Sequence, residues 1–210
     1  METEALIRRL VAEARPVKPV AHPLASFGVW AAVALIWIAA AVTLVGPRTD
    51  LAVAARAPEF ALNLVLPLAV GLAASMAALF ASVPGHHGRR WTLIAAAAVA
   101  AWLLPVIGGA VSADHGRIGA GARCIRNLAA FSLPPGLLLY HLLRRAAPLD
   151  RGMVGMLATL ATSALAQAGT RLVCHNDGAL HVLVWHASFV VVLGALGIPL
   201  ARALFSAHQR

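Results

Sequence analysis

The chain has 210 residues, 60% of them hydrophobic and only 12% charged. Soluble domains carry about 25% charged residues, so this composition excludes an ordinary soluble enzyme or binding domain. The formal charge of +9 would suggest nucleic acid in a soluble protein; here the arginines sit at the ends of apolar runs, where they set membrane orientation, and no direct contact with nucleic acid is expected.

Residues 3–14 read as a short amphipathic helix. Leu6, Ile7, Leu10 and Val11 recur at helical spacing, with Glu4, Arg8, Arg9 and Glu13 filling the other positions. Thr3 is placed to cap the start and Pro16 to stop the helix. A helix of about twelve residues is marginal alone in water and needs something to fold against. Two surfaces fit: the lipid face of a membrane, or a groove on a cytoplasmic partner. Pro16, Pro19 and Pro23 then form a stiff spacer. The acidic start Met1-Glu2-Thr3-Glu4 and the late, long first apolar run argue against a cleaved signal peptide.

Six apolar runs follow, each long enough to cross roughly 30 Å of hydrocarbon at about 1.5 Å rise per residue. They span Phe27–Val45, Phe60–Val83, Trp91–Val111, Leu128–Leu143, Gly152–Val173 and His181–Phe205. In lipid the backbone must satisfy its own hydrogen bonds, so the runs read as helices. The expected fold is all-α, a six-helix transmembrane bundle with short loops. Residues 1–26 form a cytoplasmic N-terminal segment, residues 27–205 the membrane domain and residues 206–210 a cytoplasmic tail. Orientation follows from basic residues. Arg8, Arg9, Arg15, Lys18, Arg89, Arg90, Arg144, Arg145, Arg151, Arg202 and Arg210 fall on one side; Arg48, Arg56, Arg117, Arg123, Arg126 and Arg171 fall on the other. The positive-inside rule makes both termini cytoplasmic.

Within that frame Pro67 and Pro105 imply kinks that neighbouring helices can tolerate, and abundant alanine and glycine allow close helix approach. The His86-His87 turn reads as solvated loop rather than a metal site. Asp50, Asp114, Asp150 and Asp177 all fall in loops, Glu59 lies at a span edge, and no acidic residue lies in mid-membrane. Asn63 and Gln167 are uncharged, and His141 is near a cytoplasmic end. Coupled transporters need buried carboxylates or broken helices around a central site, so this pattern disfavours transport.

The only two cysteines, Cys124 and Cys174, bracket the fourth and fifth spans on the outer face, Cys124 before span four and Cys174 after span five. In a bacterium that face is the oxidising periplasm, where two near thiols can form a disulfide. They can equally bind a soft metal as thiolates, with His175, His181 or Asp177 completing the shell. His115 is also close in sequence. Arg123 and Arg126 flank Cys124, and positive charge favours a reactive thiolate. A static disulfide, or two unpaired small apolar residues, explains the pair as well. His186, beside Trp185, reads as a packed core histidine. No CxxC motif is present, which argues against a thiol relay and suits a two-cysteine switch.

Several segments resemble the NrsF-type family of polytopic anti-sigma factors. They are Glu4-Ala5-Leu6-Ile7-Arg8-Arg9-Leu10 with Arg15-Pro16-Val17, Gly46-Pro47-Arg48-Thr49-Asp50-Leu51, and Pro58-Glu59-Phe60. Cys124, Leu133-Pro134-Pro135 and Leu143-Arg144-Arg145-Ala146-Ala147-Pro148 follow. The most specific are Leu172-Val173-Cys174-His175-Asn176-Asp177 and Val184-Trp185-His186. Two departures stand out: the family often has Cys-Pro-Glu-Asp where this chain has Cys174-His175-Asn176-Asp177, and an aromatic residue where it has His186.

The resemblance implies a six-span protein of the bacterial inner membrane that holds an extracytoplasmic-function sigma factor on the cytoplasmic side. It implies no enzymatic activity and no required cofactor. Cys124 and Cys174 would be the sensing thiols for metal or oxidative stress, with a transient metal ion at the cysteines and His175, His181 and Asp177 as further ligands. Leu6, Ile7, Arg8, Arg9, Leu10, Val11, Arg144 and Arg145 would contact the sigma factor. Besides that partner, the chain contacts the lipid bilayer. The alternatives are a quinone-linked thiol oxidoreductase, for which a second cysteine pair is missing, and a small membrane transporter.

Overall fold

The computed structural model describes residues 3–14, 20–85, 88–112, 118–146 and 148–206. The His86-His87 turn, Pro16 and Pro19, Arg15, Lys18, Asp114, His115, Arg117 and the end of the tail lie outside the described residues. Among the described residues the chain is all-α. In order it forms α1 (Thr3–Glu13), α2 (Pro23–Val45), α3 (Leu51–Ala54), α4 (Pro58–Ala81), α5 (Arg89–Ser112), α6 (Ala122–Arg144), α7 (Arg151–Arg171) and α8 (Ala179–His181). A π-helical turn (Val182–Ala187) then joins α8 to α9 (Ser188–Ser206).

Local chemistry sets several boundaries. Proline occupies the first turn of α2 and of α4, where its missing N–H has no helical partner to lose and its fixed φ suits the helix. This starts α2 at Pro23 rather than Phe27, with His22 Nδ1 accepting from the Leu24 N–H at 3.3 Å. Gly46 ends α2 at φ 89, a conformation that side-chain-bearing residues resist. Asp150 caps α7 by accepting from the Met153 N–H at 2.9 Å. α6 starts at Ala122, well before Leu128, so Cys124 lies inside the helix and not ahead of it.

Among the described residues four helical segments are long and apolar enough to cross a membrane: Pro23–Val45, Pro58–Ala81, Arg89–Ser112 and Ala179–Phe205. α6 and α7 are comparably long but carry more polar side chains. The packing explains why α7 can. It is enclosed by α2, α4, α6 and α9, and Thr162, Ser163, Gln167, Thr170 and Arg171 on it are all buried. Thr162 and Thr170 donate to carbonyls of their own helix, Ala158 O at 3.2 Å and Ala166 O at 2.8 Å, which removes the cost of burying their hydroxyls.

Small residues set how closely α7 is approached. A Cβ on Gly155 would collide with Ala201 Cβ and the Gly197 carbonyl of α9, and Gly71 of α4 lies against the Ala161 carbonyl at 3.0 Å from its would-be Cβ. Trp30, fully buried on α2, donates its indole N–H to the Pro135 carbonyl of α6 at 3.0 Å and so ties those two helices.

The long helices alternate in direction, so their links gather at two ends. The α2–α4, α5–α6 and α7–α8 links meet at one end: the Arg48 N–H donates to Leu172 O at 2.9 Å, and Trp185 Nε1 donates to Gly119 O at 3.2 Å. The start of α2 and the ends of α4, α6 and α9 lie at the other, marked by ring contacts of His22 with Phe80 and of Tyr140 with Phe205.

Candidate functional site

At the end where those three links meet, the segment between α7 and α8 runs over a fully buried arginine. Arg171, in the last turn of α7, has a side chain only 1% exposed. Arg48 reaches it from the α2–α3 link and is equally buried. Asp177 bridges the two. Its carboxylate accepts from Arg48 Nη1 at 2.8 Å and Nη2 at 2.7 Å, and also from Arg171 Nη2. Asp50 accepts a second fork from Arg48 at 2.7 and 2.9 Å. The Phe60 ring lies beneath both guanidinium groups, 5.5 Å from Arg48 Cζ and 5.2 Å from Arg171 Cζ.

Two arginines and two carboxylates thus form a neutral clasp. Hydrogen bonds from Arg48 hold the Asp50 carboxyl down at about 2. Burial pushes the Asp177 carboxyl up, but Arg48 and Arg171 outweigh it and the net shift is downward. The hydrogen bonds to Asp50 and Asp177 raise Arg48 above its ordinary value.

The clasp steadies the segment that carries Cys174. Cys124, in the first turn of α6, faces it with the sulfurs 3.6 Å apart; both thiols are free and buried. The neighbouring Cys124 thiol holds the Cys174 thiol below its ordinary range, against the burial that pushes it up. His181 Nε2 lies 3.6 Å from each sulfur, while His181 Nδ1 is 2.7 Å from the Ile118 carbonyl. His186 completes the group. The four donor atoms of Cys124, Cys174, His181 and His186 lie within 4.8 Å of one another, and all four residues are buried. His186 Nδ1 is 2.7 Å from Gln167 Oε1, and its Nε2 has no hydrogen-bond partner. Chemically, this donor set suits a metal ion.

The sequence-derived candidates divide. Cys124, Cys174 and His181 come together. His175 and Asp177 do not join them: His175 Nε2 accepts from the Thr49 N–H at 3.3 Å, and Asp177 belongs to the clasp. His186 is indeed a buried histidine, yet one of its ring nitrogens enters the cluster. Five residues apart on an α-helix, His181 and His186 would point about 140° apart, at roughly 100° per residue. The π-helical turn inserts an extra residue and lets the fifth position act as the fourth. The two rings accordingly lie 5.2 Å apart. Nothing in the spacing announces that turn; the readable signal was the histidine pair itself.

The candidates for partner contact occupy the opposite end of the molecule or stand away from it. No residue of α1 is buried, and Leu6, Ile7, Leu10 and Val11 are 42–70% exposed. Arg9 pairs with Glu13 at 2.9 Å along the helix. Arg144 and Arg145, at the end of α6, are exposed.

Compared with known families, the chain matches one over residues 10–206: NrsF, described as negative regulator of sigma F. No curated protein and no solved structure matches it.

Proposed function

The chain belongs to the NrsF family of negative regulators of sigma F, and from that premise we propose that it is a multi-pass anti-sigma factor of the bacterial inner membrane. α2, α4, α5, α6, α7 and the α8–α9 segment are its six spans, with both termini cytoplasmic. The excess of Lys and Arg at the end holding α1, Arg89, Arg144 and Arg202 supports this orientation. The partner is an extracytoplasmic-function sigma factor, held through the apolar stripe of α1 and the basic pair Arg144-Arg145.

One observation carries the reading beyond family membership. Two free thiols stand 3.6 Å apart at one end of the bundle, while α1 carries an apolar stripe of which no residue is buried. The first is a receiver for oxidants or soft metals; the second is a segment that needs a surface to fold against. Stress at Cys124 and Cys174 releases the sigma factor.

The test is a pull-down of the full-length, detergent-solubilised protein from its own cells, before and after a cadmium or peroxide challenge. A sigma factor should copurify with wild type and with Cys124→Ser/Cys174→Ser at rest, and leave only the wild type on challenge. Copurification with neither protein would sink the anti-sigma reading; release from both would sink the thiol reading alone.

A further inference from the structure

We propose that Cys124, Cys174, His181 and His186 form a closed four-ligand centre for a divalent cation of the Zn2+ class, with both histidines ligating through Nε2. The centre rests on the reading of Cys124 and Cys174 as signal-receiving thiols and names what they hold.

The first argument is shape. Tetrahedral Zn2+ with metal–sulfur bonds near 2.3 Å and metal–nitrogen bonds near 2.0–2.1 Å sets sulfur–sulfur edges of about 3.8 Å and sulfur–nitrogen edges of about 3.6 Å. The sulfurs are 3.6 Å apart, and His181 Nε2 is 3.6 Å from each. Three of the four corners therefore already stand at bonding geometry around a common centre. One ring nitrogen of His186 lies within 4.8 Å of the other three donor atoms; with Nδ1 at 2.7 Å from Gln167 Oε1, Nε2 is the nitrogen assigned to the fourth corner.

The second argument is where the protons sit. A backbone carbonyl only accepts, so the contact of His181 Nδ1 with Ile118 O places the proton on Nδ1 and leaves a lone pair on Nε2. Gln167 Oε1, 2.7 Å from His186 Nδ1, takes the same accepting role there, with the Gln167 amide nitrogen left buried and without a partner among the described residues. Outer hydrogen bonds of this kind orient metal-ligating histidines and raise their basicity. Among the described residues His186 Nε2 is buried and has no partner at hydrogen-bond geometry, which leaves the Cys124–Cys174–His181 cluster as the place for its lone pair.

The third argument decides between a metal and a disulfide. On metal binding each thiol gives its proton to solvent, two sulfur–metal and two nitrogen–metal bonds form, and no electron moves. Two thiolates, two neutral imidazoles and a dication sum to zero charge, as burial beside an already neutral clasp requires. A disulfide would satisfy the sulfurs but leave two buried imidazole lone pairs facing no donor. With four protein ligands the site has no open position, so it is not a hydrolytic centre.

The test uses full-length protein in detergent, reduced and stripped by chelator, then titrated with Co2+ and Zn2+. Wild type should take up one Co2+ per chain, with the intense visible bands of four-coordinate, thiolate-ligated Co2+, and lose them to Zn2+. His186→Ala should weaken binding and dim the bands, whereas His175→Ala should leave them unchanged. Gln167→Ala should lower affinity about 10–100-fold, and Gln167→Glu, which keeps an acceptor for the Nδ1–H, should retain it. If His186→Ala fails to fold, the stoichiometry of Zn2+ retained by wild type after gel filtration decides: one per chain supports the centre, and none overturns it. A pale six-coordinate spectrum in wild type, or unaltered bands in His186→Ala, overturns the centre. The parent reading fails separately. If wild type binds Co2+ but releases no sigma factor on challenge, the centre stands and the sensing reading falls. If Cys124→Ser/Cys174→Ser abolishes release while wild type binds no Co2+, the reverse holds.

Discussion

Asp177→Asn is the sharpest probe of how the end of the bundle that carries the clasp is held. Among the described residues Asp177 is the only carboxylate on Arg171, whose side chain is 1% exposed. Without it, that guanidinium keeps one hydrogen bond, Nη1 to Asn176 O at 3.1 Å, and the face of Phe60. Removing one partner of a fully buried ion pair costs about 3–5 kcal/mol. The Asp177 side chain is 44% exposed, so solvent already screens part of the interaction, and a loss of about 2–3 kcal/mol is expected. For a chain of this size that corresponds to a fall of roughly 5–10 °C in melting temperature. The assay follows from the fold: Cys124 and Cys174 are both buried, so a thiol-reactive fluorophore reports unfolding of the chelator-treated protein in detergent. Asp50→Asn should cost less, because Arg48 keeps both hydrogen bonds to Asp177. Arg171→Met/Asp177→Asn should recover part of the loss, since no uncompensated charge remains. An Asp177→Asn midpoint equal to wild type would refute the view that the clasp holds this end together.

The clasp also predicts acid sensitivity. The folded Asp50 carboxyl is held down at about 2 and the Asp177 carboxyl also lies below its ordinary value, so their contribution is complete above the ordinary carboxylate range and is lost as pH falls below it, for Asp50 through about 2; melting temperature should depend less on pH across that range for Asp50→Asn/Asp177→Asn. Gly155→Ala forces a methyl into Ala201 and the Gly197 carbonyl and should destabilise by about 1–3 kcal/mol, whereas Gly108→Ala, with nothing within 4 Å of the new Cβ, should melt like wild type. Leu6→Ala/Leu10→Ala should not shift the melting temperature, because no residue of α1 is buried, but should weaken sigma binding by more than about tenfold in a pull-down titration.

The sequence made the long helices legible because apolar length is a local property. Prolines at 23 and 58 and the glycine at 46 mark boundaries that the apolar runs only approximate. α6 and α7 were legible as runs of small and apolar residues. Their polar side chains became intelligible only in three dimensions, where α7 buries Thr162, Ser163 and Thr170 against its own carbonyls and its neighbours. Of the site, the cysteine pair and His181 could be read directly, because two loops on the same side of an alternating bundle must lie near one another. Which nearby donors join them could not. Asp177 and His175 are closer in sequence to Cys174 than His186 is, yet two buried arginines claim the first and the Thr49 N–H the second. His186 arrives through a helical irregularity that no pattern of hydrophobic residues encodes.

The segments by which the chain resembles its family also acquire a physical reason. Gly46–Leu51 supplies Arg48 and Asp50, Pro58-Glu59-Phe60 supplies the ring beneath both arginines, and Leu172–Asp177 supplies Asp177 together with Cys174. These are the parts of one construction: a neutral ionic clasp on the segment that carries Cys174. The opposing thiol sits on α6, and if oxidation displaces a bound metal ion, a disulfide near 2.05 Å would shorten the 3.6 Å sulfur separation by about 1.5 Å. α6 runs unbroken from Cys124 to Arg144, and midway its Pro135 carbonyl holds Trp30 of α2, the helix that leads back to α1. Packed helices shift as units rather than absorb such a displacement. The proposal that a signal at the thiols reaches both candidate sigma contacts therefore has a physical route, through α6 and the hydrogen bond that the buried Trp30 indole of α2 donates to it.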